Sequence, residues 1–250
     1  MRTHGTAQQI GTRTDQCDAT ATRRTSDGGR AFVLADGIGS SPAVRNWTRT
    51  ITQRIAILTA RSLQPHEAIT AVQAEITSTP GWDNWLDAVP GACVVAAVTG
   101  PDKLLRVAWI GDCRAYLLHP DGHLQRLTSD HNRRALLEAA NLPVPKSARN
   151  HVVRCMGHPV PDEYDECPGL PRDGEELAPE WTAVHDRAGT RLLLASDGLY
   201  EPIDDAGQDL AGDLALYTDP AEAAEWLVAT AMAVGGLHRD NATALVADLT

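Results

Sequence analysis

The feature that most constrains this chain is a block between Ala92 and Leu127 in which apolar runs follow one another with almost nothing between them. ACVVAAV (Ala92–Val98), LLRVAWI (Leu104–Ile110), RAYLL (Arg114–Leu118) and Leu124–Leu127 are separated only by the spacers GPDK, GDC and HPDGH. Spacers this short are turns that join neighbouring antiparallel strands, whereas a parallel pair needs a crossover of a dozen residues or more. Each consecutive pair in the block is therefore expected to form a hairpin. A strand at Arg30–Ala35 (RAFVLA) stops at the turn-forming Asp36, Gly37, Ile38 and Gly39.

Helical periodicity surrounds this block. Val44, Trp47, Ile51, Ile55 and Leu58 recur every three or four residues after Pro42, and Ile69, Val72 and Ile76 repeat the pattern in a second helix at about His66–Thr77. A helix at His131–Ala140 ends before Pro143, and short strands are expected at His151–Cys155, Trp181–His185 and Arg191–Ala195. A helix at Ala221–Val234 and a strand at Ala242–Leu249 complete the chain. Helix pairs alternating with antiparallel runs give an α+β class with sheets layered against helices, not a doubly wound parallel sheet. The 250 residues read as a single domain, with a flap-like excursion at about 141–180.

The net charge of −11 argues against nucleic acid and anionic membrane as partners, since both would be approached against repulsion. The charge is unevenly distributed. Asp162–Glu180 carries eight acids and one Arg, Glu201–Glu225 eight acids without Lys or Arg, and the first sixty residues eight Arg against Asp15, Asp18, Asp27 and Asp36. No apolar run is long enough to span a bilayer and the N-terminus has no secretory pattern, so a soluble, cytoplasmic protein is expected. Cys17, Cys93, Cys113, Cys155 and Cys167 are odd in number and contain no CxxC pair, which points to reduced core thiols.

Three aspartates mark strand ends: Asp36 closes RAFVLA, Asp197 closes RLLLA, and Asp240 opens ATALVADL. Antiparallel pairing can bring such ends to one sheet edge, with Asp112 of the GDC turn in reach. Taken singly, each fits ordinary turn chemistry. Brought together they would repel one another unless a cation held them ionised, and hard oxygen donors favour Mg²⁺ or Mn²⁺. Gly37-Ile38-Gly39 imitates a dinucleotide fingerprint, but Pro42 and Ala43 stand where its third glycine belongs.

ADGIGS (Ala35–Ser40), GDCRAYLL (Gly111–Leu118) with LTSDHN (Leu127–Asn132), LLLASDGL (Leu192–Leu199) and DNATALV (Asp240–Val246) occur in the order and at about the separations of the metal-dependent protein phosphatase (PPM, type 2C) signatures. The chain resembles the bacterial members of this family from about Gly11 to Leu249. The resemblance implies an α-β-β-α sandwich of two antiparallel sheets and a centre of two Mn²⁺ or Mg²⁺ ions. It implies hydrolysis of phosphoserine and phosphothreonine in proteins by a hydroxide bridging the ions, opposite a cognate Ser/Thr kinase. On that resemblance Asp36 bridges both ions, the Gly37 carbonyl holds one, and Asp197 with Asp240 holds the other. Asp112 with Asp197 makes a third-ion position, Arg13 binds phosphate through its planar fork, and Asp18 hydrogen-bonds metal-bound water.

Two positions depart from the family. Cys17 stands where the family has Glu, so the thiol either weakens or softens the metal site or is simply tolerated. Ile38 replaces the His that some members carry as a general acid. The alternative to an enzyme is a phosphatase fold used as a binding or sensing module. His131 reads as a structural histidine, and Trp82 and Trp85 as loop anchors.

Overall fold

A computed structural model describes residues 3–79, 90–157, 178–185 and 188–249. Two five-stranded antiparallel sheets lie face to face. One has the order β2-β3-β4-β5-β8, with β2 at Ala19–Arg24, β3 at Arg30–Ile38, β4 at Gly91–Thr99, β5 at Leu104–Ile110 and β8 at Glu180–His185. The other has the order β1-β10-β9-β6-β7, with β1 at His4–Gln9, β6 at Arg114–Leu118, β7 at Leu124–Arg126, β9 at Arg191–Ala195 and β10 at Ala242–Asp248.

Each sheet has two buried faces, which explains why the central strands read as continuous apolar runs. Phe32, Leu34, Val95, Leu105, Leu117, Leu192, Leu194 and Leu245 fill the space between the sheets. Fully burying side chains of this size contributes about 1.5–3 kcal/mol each. On the outer face of the first sheet, Val33, Val94 and Ile110 meet Ile51 and Ile55 of α1 (Pro42–Ser62) and Ile69 of α2 (Pro65–Thr77). On the outer face of the second, Leu193 and Val246 meet α4 (Asp197–Asp205), α5 (Leu210–Ala215) and α6 (Pro220–Val234). The expected α-β-β-α sandwich is observed.

The short α3 (Arg133–Ala139) is capped by Asn132, whose side chain accepts from the Ala135 amide. α1 begins where Ser41 accepts from the Val44 amide and Pro42 occupies the first turn. Among the described residues no helix is long and apolar enough to cross a membrane. Trp82, Trp85, Cys167 and most of the acidic excursion lie outside the described residues.

Several expectations need correction. The GDC spacer is not a hairpin: β5 and β6 belong to different sheets, so Gly111–Cys113 carries the chain across the sandwich. Gly111 permits the crossing because its φ is +100°, and a Cβ there would stand 2.4 Å from the Cys93 sulfur. β3 runs on through Asp36 and Gly37 to Ile38, with Asp36 opposite Cys93 and Gly37 opposite Ala92. The strand expected at His151–Cys155 reduces to the isolated bridges Asn132–Val152 and Ala92–Met156, preceded by a 3-10 turn at Lys146–Asn150. β1, β2, α4 and α5 are additional elements, and SDG opens a helix instead of a simple turn.

Candidate metal centre

The crossover places the aspartates at one end of the sandwich, where both sheets contribute. Asp36 comes from the end of β3, Asp112 from the crossover after β5, Asp197 from the first turn of α4 after β9, and Asp240 from just before β10. Antiparallel pairing of β9 with β10 puts the last two at the same end of one sheet. Convergence therefore spans two sheets and not a single sheet edge.

Asp36 is the hub, a buried carboxyl group with Asp18, Asp197, Asp112 and Asp240 as its charged neighbours. Burial, reinforced by Asp18, Asp197, Asp112 and Asp240, pushes Asp36 well above the usual carboxylate range. Burial likewise pushes Asp18 and Asp112 to about 7, with Asp197 adding repulsion to each. Asp197 is raised by burial and then by Asp240. When these groups are ionised, Asp18 Oδ1 and Asp197 Oδ1 are buried oxygens that meet no donor.

This is the chemistry of a site that needs positive charge. Among the described residues no three His, Cys, Asp or Glu side chains form a closed ligand set. Asp240 is paired with Arg13, while Asp18, Asp36, Asp112 and Asp197 are buried carboxyl groups that repel one another when ionised. An all-oxygen set of this kind fits a hard divalent cation, which would supply the counter-charge these groups lack.

Above the carboxylates opens a cavity of about 810 Å³, lined by Asp36, Asp112, Asp197, Asp240, Arg13 and Arg149 among others. Arg13 stands at the rim with its guanidinium on Asp240; burial pulls its pKa down, but Asp240 outweighs this and raises it. Asp18 lies behind the cavity wall. Its Oδ2 accepts from Ser196 Oγ at 2.9 Å and Thr243 Oγ1 at 2.6 Å, so it is locked in place. Gly37 and Ile38 also line the cavity, and Ile38 is 45% exposed and apolar where an imidazole would be needed for proton donation.

Cys17 is a buried joint. Its amide donates to Asn241 Oδ1 at 2.7 Å, its carbonyl accepts from the Gly37 amide at 3.3 Å, and its thiol donates to the Ser41 carbonyl at 3.8 Å. Burial pushes that thiol upward, so it stays neutral. His131 is structural, as expected: its Nδ1 accepts from the Gly111 amide at 3.1 Å, and its own amide donates to the Gly111 carbonyl at 3.0 Å.

The structure adds residues that sequence reasoning missed. Arg149 and Asn150 line the cavity from the 3-10 turn, with Arg149 held by Glu201 at 3.2 Å and Asp205 at 2.8 Å. Cys93 also lines the cavity, and its carbonyl accepts from the Cys113 thiol at 3.5 Å. Asn241, whose Nδ2 donates to the Ile10 carbonyl at 2.9 Å, clamps the segment carrying Arg13 to the start of β10. Ser196, Thr243 and Asn241 lie inside SDG and DNAT, so their motifs were visible although their roles were not.

Comparison with known proteins agrees with this geometry. The serine/threonine protein phosphatase PstP of Mycobacterium tuberculosis is 26% identical over 234 residues, covering 89% of this chain and 41% of PstP. The chain thus spans about two fifths of the length of that relative. The structure of the PPM Ser-Thr phosphatase MsPP from Mycobacterium smegmatis in complex with cacodylate superposes with a TM-score of 0.74 at 24% identity, over 99% of this chain and 98% of that one. The catalytic domain of PstP in complex with two manganese ions superposes with a TM-score of 0.67 at 24% identity, over 99% and 97%. These structures share the fold, and the sequence profile described as protein phosphatase 2C matches residues 7–232. The chain belongs to the protein phosphatase 2C family.

Proposed function

We propose that this chain is a metal-dependent protein phosphatase that hydrolyses phosphoserine and phosphothreonine in proteins. The observation that carries the reading is the convergence of Asp36, Asp112, Asp197 and Asp240 on one cavity with Arg13 at its rim. Asp36, the Gly37 carbonyl, Asp197 and Asp240 would hold two Mn²⁺ or Mg²⁺ ions, and Asp112 with Asp197 a third. Ions bound there would neutralise the phosphoryl group and acidify a water molecule.

The chain's own residues do the rest. Arg13, paired with Asp240 at the rim of the cavity, would present a planar pair of donors to two phosphoryl oxygens. Asp18, fixed by Ser196 and Thr243, keeps Oδ1 free as an acceptor that orients water. Arg149 adds a second cation to the wall. Ile38 provides no proton, so departure of the serine or threonine oxygen relies on water.

Cys17, Cys93 and Cys113 are buried thiols outside any disulfide, which suits a reducing compartment and supports a cytoplasmic role in signalling opposite a Ser/Thr kinase. The acids from Asp162 onward give the excursion a composition that favours substrates with basic flanks. Neutralising them without changing peptide preference removes that idea.

The test is hydrolysis of p-nitrophenyl phosphate and a phosphothreonine peptide with and without Mn²⁺. Metal-dependent turnover is expected, and Asp197→Ala is expected to abolish it while circular dichroism stays native. A protein that binds Mn²⁺ without turnover would instead be a sensing module.

A further inference from the structure

Asp112 and Asp197 come from different elements, so something must fix their separation. Asp112 lies in the crossover between the sheets and Asp197 opens α4. Arg114, two residues after Asp112, is half-buried against α4. Its guanidinium makes a two-pronged contact with Asp130, at 3.0 and 2.8 Å, and reaches Asp204 of α4 at 3.0 Å and the Tyr116 hydroxyl at 3.1 Å. It also lies 3.6 Å from the ring centroid of Tyr200, on the first turns of α4. Tyr200 is 1% exposed, and its hydroxyl donates to the Asp112 carbonyl at 3.1 Å.

Three contacts therefore tie α4 to the crossover and the first residue of β6: Tyr200 to Asp112, the Tyr200 ring to Arg114, and Asp204 to Arg114. A guanidinium with a bidentate partner and an aromatic face is held far more rigidly than a surface pair. Its conjugate partner Asp130 belongs to the same SDHN segment whose His131 grips Gly111, so the crossover is pinned from two sides. Nothing in the reaction described above uses Arg114, Tyr200 or Asp204.

We propose that Arg114 and Tyr200 are positioning residues that fix the distance between Asp112 and Asp197 and so set how strongly this pair takes a divalent cation. The idea rests on the metal-centre reading. It takes the third-ion position, held by Asp112 and Asp197, to be the weakest class of bound cation, with a ligand spacing controlled from behind the cavity.

The experiment is a Mn²⁺ titration of the whole protein, following free Mn²⁺ by electron paramagnetic resonance, on wild type, Tyr200→Phe, Asp204→Asn and Arg114→Lys. Tyr200→Phe keeps the ring over Arg114 and removes only the hydroxyl. Loss of an outer hydrogen bond of this kind is expected to weaken the affected cation class about tenfold. The expected result is that Tyr200→Phe and Arg114→Lys weaken the weakest class, leave the tighter classes unchanged, and lose kcat at sub-saturating Mn²⁺ with KM for p-nitrophenyl phosphate unaltered. Asp204→Asn, which retains Tyr200, should show a smaller shift in the same class. If all classes weaken in parallel with a fall in Tm, or if the weakest class is unmoved in Tyr200→Phe, the positioning role is overturned. Wild type binding no Mn²⁺ at all would instead overturn the metal-centre reading beneath it.

Discussion

Thr243 Oγ1 donates a 2.6 Å hydrogen bond to the buried carboxylate of Asp18, joining β10 to the segment before β2 across 225 positions of sequence. Ser196 Oγ donates to the same oxygen and accepts from the Thr243 amide at 3.0 Å, so one carboxylate binds the last strand, the start of α4 and the N-terminal segment together. Thr243→Val keeps the shape of the side chain and removes the donor. A buried charged acceptor that loses a donor is expected to cost about 1–3 kcal/mol. Urea unfolding at pH 8, where Asp18 is ionised, should show that loss, and a much smaller one at pH 5.

The carboxylate cluster also sets a pH dependence whose sign is the reverse of common acid denaturation. Asp18 and Asp112 titrate at about 7 in the folded protein because burial disfavours their charge, against 3.8 in an exposed chain. A raised acid is stabilising, relative to its charged state, below the unfolded pKa, and that stability is lost as pH rises through the folded value. Metal-free protein should therefore become less stable from about pH 4 to pH 7 and above. Asp36 and Asp197 shift in the same direction and add to the effect. His131 and His4, held below their usual value by burial, act oppositely below pH 6.5, but they are two groups against five, since burial also raises Glu201 to about 7. Thermal melts in EDTA should give a Tm on the order of 10 °C lower at pH 8 than at pH 5. Saturating Mn²⁺ should remove most of that difference, because the cation takes over as counter-charge. An unchanged slope with Mn²⁺ would show that the ions do not bind these groups.

The parts of the fold that could be read from the sequence are those where burial acts on both faces. β3, β4, β5, β9 and β10 are unbroken apolar runs, and α1, α2 and α6 show a clear helical stripe. β1 (HGTAQQ) and β2 (ATATRR) are edge strands with half-exposed polar side chains, so no alternation announces them. α4 and α5 are short and acidic, so each shows only a turn or two of apolar stripe, and Pro202 inside α4 reads as a break. The GDC spacer has the length of a hairpin turn, and local sequence carries no sign that its two strands enter different sheets. The aspartates were visible because each sits at a strand end. Arg149 was not, because a 3-10 turn far along the chain brings it to the cavity and no motif marks it.

Cys17 gives a test of how much the site depends on the residue that departs from the family. Its thiol faces the Ser41 carbonyl, with Asp15, Asp18 and Arg45 as charged neighbours. Cys17→Glu adds a carboxylate to a buried, already acidic corner. In metal-free protein this should be destabilising, by about 1–3 kcal/mol. With the extra oxygen donor available, Mg²⁺ affinity should rise. Calorimetric Mg²⁺ titration and EDTA melts on the same variant separate the two effects. Unchanged Mg²⁺ affinity would make the position irrelevant to the ions, with the thiol serving only as the joint described above.

The contact between α4 and β10 offers a way to move ligands without altering any of them. Gly198 follows Asp197 at the start of α4, and a Cβ there would lie 2.2 Å from the Asn241 carbonyl oxygen and 3.2 Å from the Asp240 Cβ. The obstacle is backbone, which cannot rotate aside, so Gly198→Ala must push the start of α4 away from β10. Asp197 and Asp240 would separate, while Asp36 and Asp112, on other elements, would stay in place. Overpacking of this kind costs about 1–3 kcal/mol, which leaves a folded protein. Mn²⁺ affinity and turnover should both fall by at least tenfold, with circular dichroism unchanged. Gly207→Ala is the control for glycine replacement as such: no other atoms lie within 4 Å of a Cβ there, although its φ of +63° adds local strain. It should lose stability without losing Mn²⁺. Equal loss of Mn²⁺ in both variants would mean that the separation of Asp197 and Asp240 does not govern binding.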